Sequence, residues 1–128
     1  MKSPFSREYF PPAPVISVEI TAPGESPSKV QYTALIDTGA DGTFVPTRLL
    51  EELGVPIIHM TNVRAHMGES LYRVSIHRID FVLFDSIRFP NIEVVADDWG
   101  NGIILGRNLL NKLNLHLDGP SETTRLVG

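Results

Sequence analysis

The residue whose type and setting invite chemistry is Asp37, in the segment Ala34-Leu35-Ile36-Asp37-Thr38-Gly39-Ala40-Asp41. The acid comes immediately after an apolar run and immediately before a glycine-containing turn. A carboxylate placed there stands at the end of a rigid element with buried residues behind it, the support a preorganised site needs. Thr38 can bond to nearby backbone, and Gly39 lets the chain pass close to another backbone. The chemistry on offer is proton transfer by a carboxyl group. The tripeptide alone decides little, because roughly one chain in twenty of this length contains Asp-Thr/Ser-Gly by chance. A plain Asx-type turn between two strands accounts for it equally well.

Other chemistries find less support. The chain has no cysteine, which removes disulfides, thiolate zinc sites and a cysteine nucleophile together. His59, His66, His77 and His116 lack metal-ligand spacing, and Asp97-Asp98 has no calcium-loop pattern around it, so no metal and no cofactor are expected. Gly100-Asn101-Gly102 precedes a strand instead of opening a helix, unlike a phosphate loop. No serine sits in a nucleophile elbow. A net charge of −4 without any run of Lys or Arg argues against a nucleic-acid partner. No apolar stretch reaches membrane-spanning length, and the start of the chain lacks a secretory pattern, so a soluble, cytoplasmic protein without a membrane partner is expected.

The elements that must hold Asp37 in place are short strands. At 128 residues the chain is one domain, too short for a two-lobed enzyme. Strands are expected over Pro14–Ile20, Val30–Ile36, Thr43–Val45, Phe89–Ala96, Ile103–Leu105 and Leu115–Asp118. One or two more fall within Leu71–Phe84, broken near His77-Arg78. Short helices are expected at Thr47–Leu53, ended by Gly54, and at Arg107–Leu113. Residues 1–12 read as an extended arm or mobile tail, 13–119 as the domain and 120–128 as a polar tail. Many short strands with one or two helices indicate a closed or sandwiched all-β fold.

A second motif changes the weight of the first. Ile103-Ile104-Leu105-Gly106-Arg107-Asn108-Leu109-Leu110 is an apolar strand, a glycine and an amphipathic helix. In this order and spacing, the two motifs resemble the retropepsins, the retroviral and retroviral-like aspartic proteases. The likeness covers Pro14 to Gly119. It implies a small closed acid-protease barrel with a short C-terminal helix, one lobe per chain. It also implies an aspartic endopeptidase acting on peptide or protein substrates, with water as nucleophile. Aspartic proteases are the standing example of two carboxylates that share one proton, one acting as acid and the other as base. This chain has one Asp-Thr-Gly, so the second carboxylate must come from Asp37 of another copy, making a homodimer.

The resemblance also assigns roles. Asp37, Thr38 and Gly39 form the catalytic loop, with Thr38 bonding across the two loops and Gly39 touching substrate backbone. Ala40, Asp41, Trp99 and Ile104 fall on substrate-lining segments, and Gly106, Arg107 and Asn108 support the loop from below. Asp41 and Arg107 are expected to pair as ions. A flap hairpin is expected over Val63 to Val74 with its tip at Met67-Gly68-Glu69, poorer in glycine than viral flaps. Viral members dimerise through interleaved terminal strands, whereas both ends here are longer and differ in sequence. Two other readings remain at this stage: a non-proteolytic dimeric peptide-binding or scaffold module of the same fold, and a self-cleaving precursor that loses residues 1–12.

Overall fold

The computed structural model describes residues 1–64 and 71–126. In chain order the elements are β1 (Lys2–Pro4), β2 (Val15–Thr21), β3 (Tyr32–Ile36), β4 (Thr43–Pro46), α1 (Thr47–Leu53) and β5 (His59–Arg64). There follow β6 (Leu71–Leu83), β7 (Ile87–Asp97), β8 (Ile103–Leu105), α2 (Arg107–Leu110), β9 (Leu115–Asp118) and β10 (Thr123–Leu126). Six strands in the order β2-β3-β8-β4-β7-β6 close into a barrel through a β2–β6 pairing, and β5 lies outside β6. This is the closed all-β fold with a short C-terminal helix that the sequence led us to expect. No helix among the described residues is long and apolar enough to cross a membrane.

Strand periodicity divides each strand between two jobs. Side chains alternate across a strand, so Ile103 and Leu105 of β8 enter the core while Ile104 between them faces the other way. Likewise Val45 of β4 and Val94 and Ala96 of β7 join the core, whereas Phe44 and Val95 join a second, smaller apolar cluster with Val74, Ile76, Val63 and Tyr72. The large cluster holds the barrel together. The small one lines a crevice.

The helices follow their local signals with one difference. Gly54 closes α1 at φ 70°, a left-handed position that glycine enters without a Cβ penalty, and its amide bonds to the carbonyls of Leu50 and Glu51. The helix expected through Leu113 is α-helical only over Arg107–Leu110. Beyond it the amides of Lys112 and Leu113 bond to the carbonyls of Leu109 and Leu110, three residues back, so the chain tightens instead of propagating. Burying Leu109 and Leu110 takes only that first turn.

The long run from Leu71 is one strand, continuous through His77-Arg78, and its irregularity falls elsewhere. The β6–β7 register shifts between Ile79 and Phe81. Opposite Asp80 stand Pro90, which has no amide to donate, and Asn91, at φ 54°. Asp80 resolves the defect. It is buried, and its carboxylate accepts from the amides of Asn91 (2.9 Å) and Gly24 (3.0 Å) and from the Arg88 guanidinium. Burial alone would raise this carboxyl, but the two amides and Arg88 outweigh it and hold the group below its ordinary value of 3.8. The stabilisation is therefore full above the unfolded-chain value and is lost as pH falls through the lower folded one. We expect Asp80→Asn to cost about 3 kcal/mol at neutral pH, as when one partner of a buried pair is removed. It should also flatten the acid limb of stability against pH below about pH 4. Denaturant unfolding across that range checks both, and an unchanged acid limb would refute the assignment.

The end segments, expected as an arm and a polar tail, both contribute strands. β10 lies between β1 and β9 in a separate three-stranded sheet, paired Lys2 to Arg125, Ser3 to Thr124 and Pro4 to Thr123 on one side and Thr123 to Asp118 through Leu126 to Leu115 on the other. A turn over Gly119–Glu122 makes the β9–β10 hairpin, with Glu122 at φ 53° and its amide bonded to the Gly119 carbonyl. Segments with this polar a composition become strands because their backbone groups find partners, not because their side chains bury much area.

Candidate active site

Asp37 emerges from β3 at the point where three chain segments meet. β8 runs parallel beside β3 (Leu35 opposite Ile104) and pairs on its other side with β4 at Phe44. The Asp37–Gly42 loop connects β3 to β4 and so must pass over the end of β8. There the chain leaving β8 crosses beneath it. The Asp37 amide bonds to the Leu105 carbonyl (3.0 Å), the Arg107 amide to the Ala40 carbonyl (2.8 Å) and the Asn108 amide to the Asp41 carbonyl (3.3 Å).

Gly106 makes this crossing fit. A Cβ there would overlap the Gly42 carbonyl and lie 3.0 Å from the Ala40 oxygen, so the two backbones touch where only glycine leaves room. Below the crossing, the Thr43 hydroxyl accepts from the Gly106 amide (3.1 Å) and donates to the Asn108 side-chain oxygen (2.7 Å). The Asn108 amide group in turn donates to the Glu93 carbonyl (2.9 Å). Thr43 is fully buried, and sequence reading passed over it as an ordinary strand residue. A β-branched residue carrying a hydroxyl, immediately after the loop, was the available signal.

The carboxylate itself is oriented locally. The Gly39 amide donates to Asp37 Oδ1 (2.9 Å) and the Ala40 amide to the Asp37 carbonyl (3.2 Å), which is an Asx-type turn. The turn and the catalytic reading are therefore not alternatives, since the turn aims the acid. The Thr38 side chain is exposed and has no hydrogen-bond partner among the described residues. The ion pair expected between Asp41 and Arg107 does not form. The Arg107 guanidinium donates instead to the Thr38 carbonyl (2.7 Å), bracing the loop from the helix side while Asp41 turns toward the crevice.

That crevice has a volume of about 430 Å³. Its floor is Asp37, Gly39, Ala40 and Asp41, and its apolar wall is Phe44, Val74, Val95, Ala96 and Ile104. Arg64, Tyr72, Asp97 and Trp99 complete the lining. Sequence reading placed Ile104 and Trp99 here and missed Phe44, Tyr72 and Val95. Each fell in a span expected as strand, but which face looked into a crevice was not legible.

Trp99 is 72% exposed and is held from two sides. Its amide donates to Asp97 Oδ1 (3.1 Å), which also takes the Gly100 amide (2.9 Å). Its ring meets Tyr72 edge-on, with centroids 4.9 Å apart and planes at 86°. The pair ties the loop before β8 to the start of strand β6. β5 and β6 pair antiparallel along the span where a flap is expected, with Arg64 opposite Leu71. Its tip, Met67-Gly68-Glu69, lies outside the described residues.

His77 sits between Ser75 Oγ (3.0 Å) and the Val55 carbonyl (3.2 Å), a packed strand residue away from the crevice. Among the described residues no three His, Asp or Glu side chains gather as a metal-binding group.

A family model described as aspartyl protease matches residues 18–109, a span containing both Asp37-Thr38-Gly39 and the β8–Gly106–Arg107 crossing. Among solved structures, the chain is similar to a retropepsin-like aspartic protease from Rickettsia conorii, at 16% identity over 98% of this chain and 88% of that one, with a TM-score of 0.69. It is also similar to the simian foamy virus protease, at 20% identity over 76% and 91% of the two chains and a TM-score of 0.54. A third likeness is to the retroviral protease-like domain of Ddi1 from Leishmania major, at 17% identity over 90% and 95% and a TM-score of 0.52. At these identities the likeness is one of fold. No curated protein matches the sequence.

Proposed function

Because the chain belongs to the aspartyl protease family and has the retropepsin-like fold, we propose that it is an endopeptidase working as a homodimer, with Asp37 of each copy supplying half of the catalytic pair. The observation that carries this reading is the Asp37 carboxylate. It stands on a braced loop at the floor of an open crevice, one oxygen held by the Gly39 amide and the other left for water or substrate. The exposed, unpartnered Thr38 side chain supports a second copy at the same place.

In the proposed reaction, an extended peptide lies across the crevice with its scissile carbonyl between the two carboxyl groups. Two like charges held that close share one proton. The ionised member takes a proton from water as the water oxygen bonds to the carbonyl carbon. The protonated member gives its proton to the carbonyl oxygen. Collapse of the tetrahedral intermediate breaks the C–N bond, and the departing nitrogen takes a proton from the carboxyl that received the water's. The other carboxylate takes back a hydroxyl proton, leaving a carboxylic acid, an amine and one shared proton on the pair. Phe44, Ile104, Tyr72 and Trp99 would offer apolar contact to substrate side chains, and extended substrate backbone would add hydrogen bonds to the crevice walls.

A site divided between two copies makes a kinetic demand. Specific activity against an unstructured protein substrate should fall as the enzyme is diluted through its dimer dissociation constant, and return on concentration. Cleavage per chain that stays constant from monomer to dimer concentrations would rule out a shared site.

A further inference from the structure

The terminal sheet bears on how two copies meet, and the inference rests on the dimeric reading above. β10 has a hydrogen-bonding partner on each side, and both belong to its own chain. On the β1 side, the Leu126 amide bonds to the Met1 carbonyl (2.9 Å) and the Phe5 amide to the Glu122 carbonyl (2.8 Å). Just beyond, Arg7 pairs with Glu122 at 2.8 Å. On the other side a four-residue hairpin ladder joins β10 to β9. A partner's terminal strand could enter next to β10 only by displacing one of these ladders, and would replace bonds already made.

We propose that two copies dock by the faces that carry Asp37 and Thr38, each keeping its own β1-β10-β9 sheet, with no exchange of terminal strands. The partner is a second copy because the crevice holds only one Asp37. The face is the Thr38 loop because its side chain is exposed and unpartnered among the described residues, whereas β10 has no open edge.

The absence of cysteine from the chain allows a clean test. The amide bonds at Leu126 and Phe5 put hydrogen-bonded pairs at 1/126 and 5/122, so Lys2 and Arg125 form a narrow, non-hydrogen-bonded pair between them. Pro4 and Thr123 form another. Such pairs have Cα atoms about 4.5 Å apart, within disulfide reach. Two double variants, Lys2→Cys with Arg125→Cys and Pro4→Cys with Thr123→Cys, are oxidised and compared with their reduced forms.

The expected oxidised product has single-chain mass under non-reducing denaturing conditions, sediments as a dimer natively, and cleaves peptide as well as its reduced form. A disulfide-linked product of double mass overturns the proposal, because it places β10 against the partner's β1. Failure of both pairs to close overturns it by removing the intrachain ladder. Loss of the dimer on oxidation, or a single chain at every concentration, overturns it too. A dimer with intrachain bonds that cleaves nothing in either state upholds the unexchanged terminal sheets and refutes the protease reading, and with it docking by the Asp37 faces.

Discussion

Asp37→Asn is expected to abolish peptide cleavage, by at least about a thousandfold, without disturbing the fold or the dimer. The substitution keeps the shape and the Oδ1 acceptor that the Gly39 amide uses, so the Asx-type turn survives. What it removes is proton exchange. An amide neither takes a proton from water at neutral pH nor gives one to a carbonyl oxygen. Because each site draws on two copies, a mixture adds a sharper test. Mixing the variant with wild type at constant total chain concentration forms heterodimers with a single carboxylate, and activity should fall with the square of the wild-type fraction once subunits exchange. A linear fall would mean that each chain carries a complete site. Unaltered cleavage by the variant would remove Asp37 from the chemistry. A wild-type dimer that binds peptides and cleaves none would leave the non-proteolytic module of the same fold standing.

Among the described glycines, Gly106→Ala should be the most damaging added methyl group, at about 3 kcal/mol or more. The added Cβ overlaps the Gly42 carbonyl, and backbone is what it meets, so no side chain can swing aside. Relief requires the two crossing segments to separate. That stretches the bonds from Arg107 to Ala40 and from Asn108 to Asp41, and unseats Thr43 from its place between Gly106 and Asn108. Against the few kcal/mol by which a domain of this size is stable, such a loss is large. Gly102→Ala is the internal control, since nothing lies within 4 Å of a Cβ there, and it should change stability by no more than about 0.5 kcal/mol. The two urea midpoints decide the matter. If they shift alike, the crossing is looser than described and Gly106 is not what closes it.

These two residues show how the sequence and the structure divide the account. Asp37 was visible because a polar turn after the apolar run Ala34-Leu35-Ile36 is a local pattern, and local patterns survive in one dimension. The same holds for α1 with its Gly54 stop, for β8 and for the strand expected over Phe89–Ala96. Gly106 was visible as part of a motif, but the need for it was not, because it arises from Gly42, 64 positions away along the chain. Thr43, Asp80 and Tyr72 were overlooked for the same reason. Each looks like an ordinary strand residue until a distant partner is placed beside it: Asn108, Gly24 and Trp99 respectively. The termini were read as arm and tail because few apolar residues mark them, and their pairing depends on meeting at the far side of the fold.

Asp41 and Arg107 give the reverse lesson. Both lie at the Asp37 loop and the chain crossing beneath it, as the family resemblance implied. Yet the guanidinium chose the Thr38 carbonyl over the carboxylate, a choice set by the path of the loop over β8.

By itself, then, the sequence determined most of the barrel strands, the single Asp-Thr-Gly and hence the arithmetic of one carboxylate per chain. Those follow from period-two patterning, turn residues and counting. Only the tertiary structure decided that β3 and β4 flank β8, that Gly106 must lie against Gly42, and which alternate residues look into a crevice instead of a core. The reason is physical. Hydrogen-bond registers and backbone crossings join residues dozens of positions apart, and nothing in either partner's local pattern specifies the other. Asp37 is aimed by its own turn, but the loop that carries it is braced only when the chain leaving β8 passes beneath it.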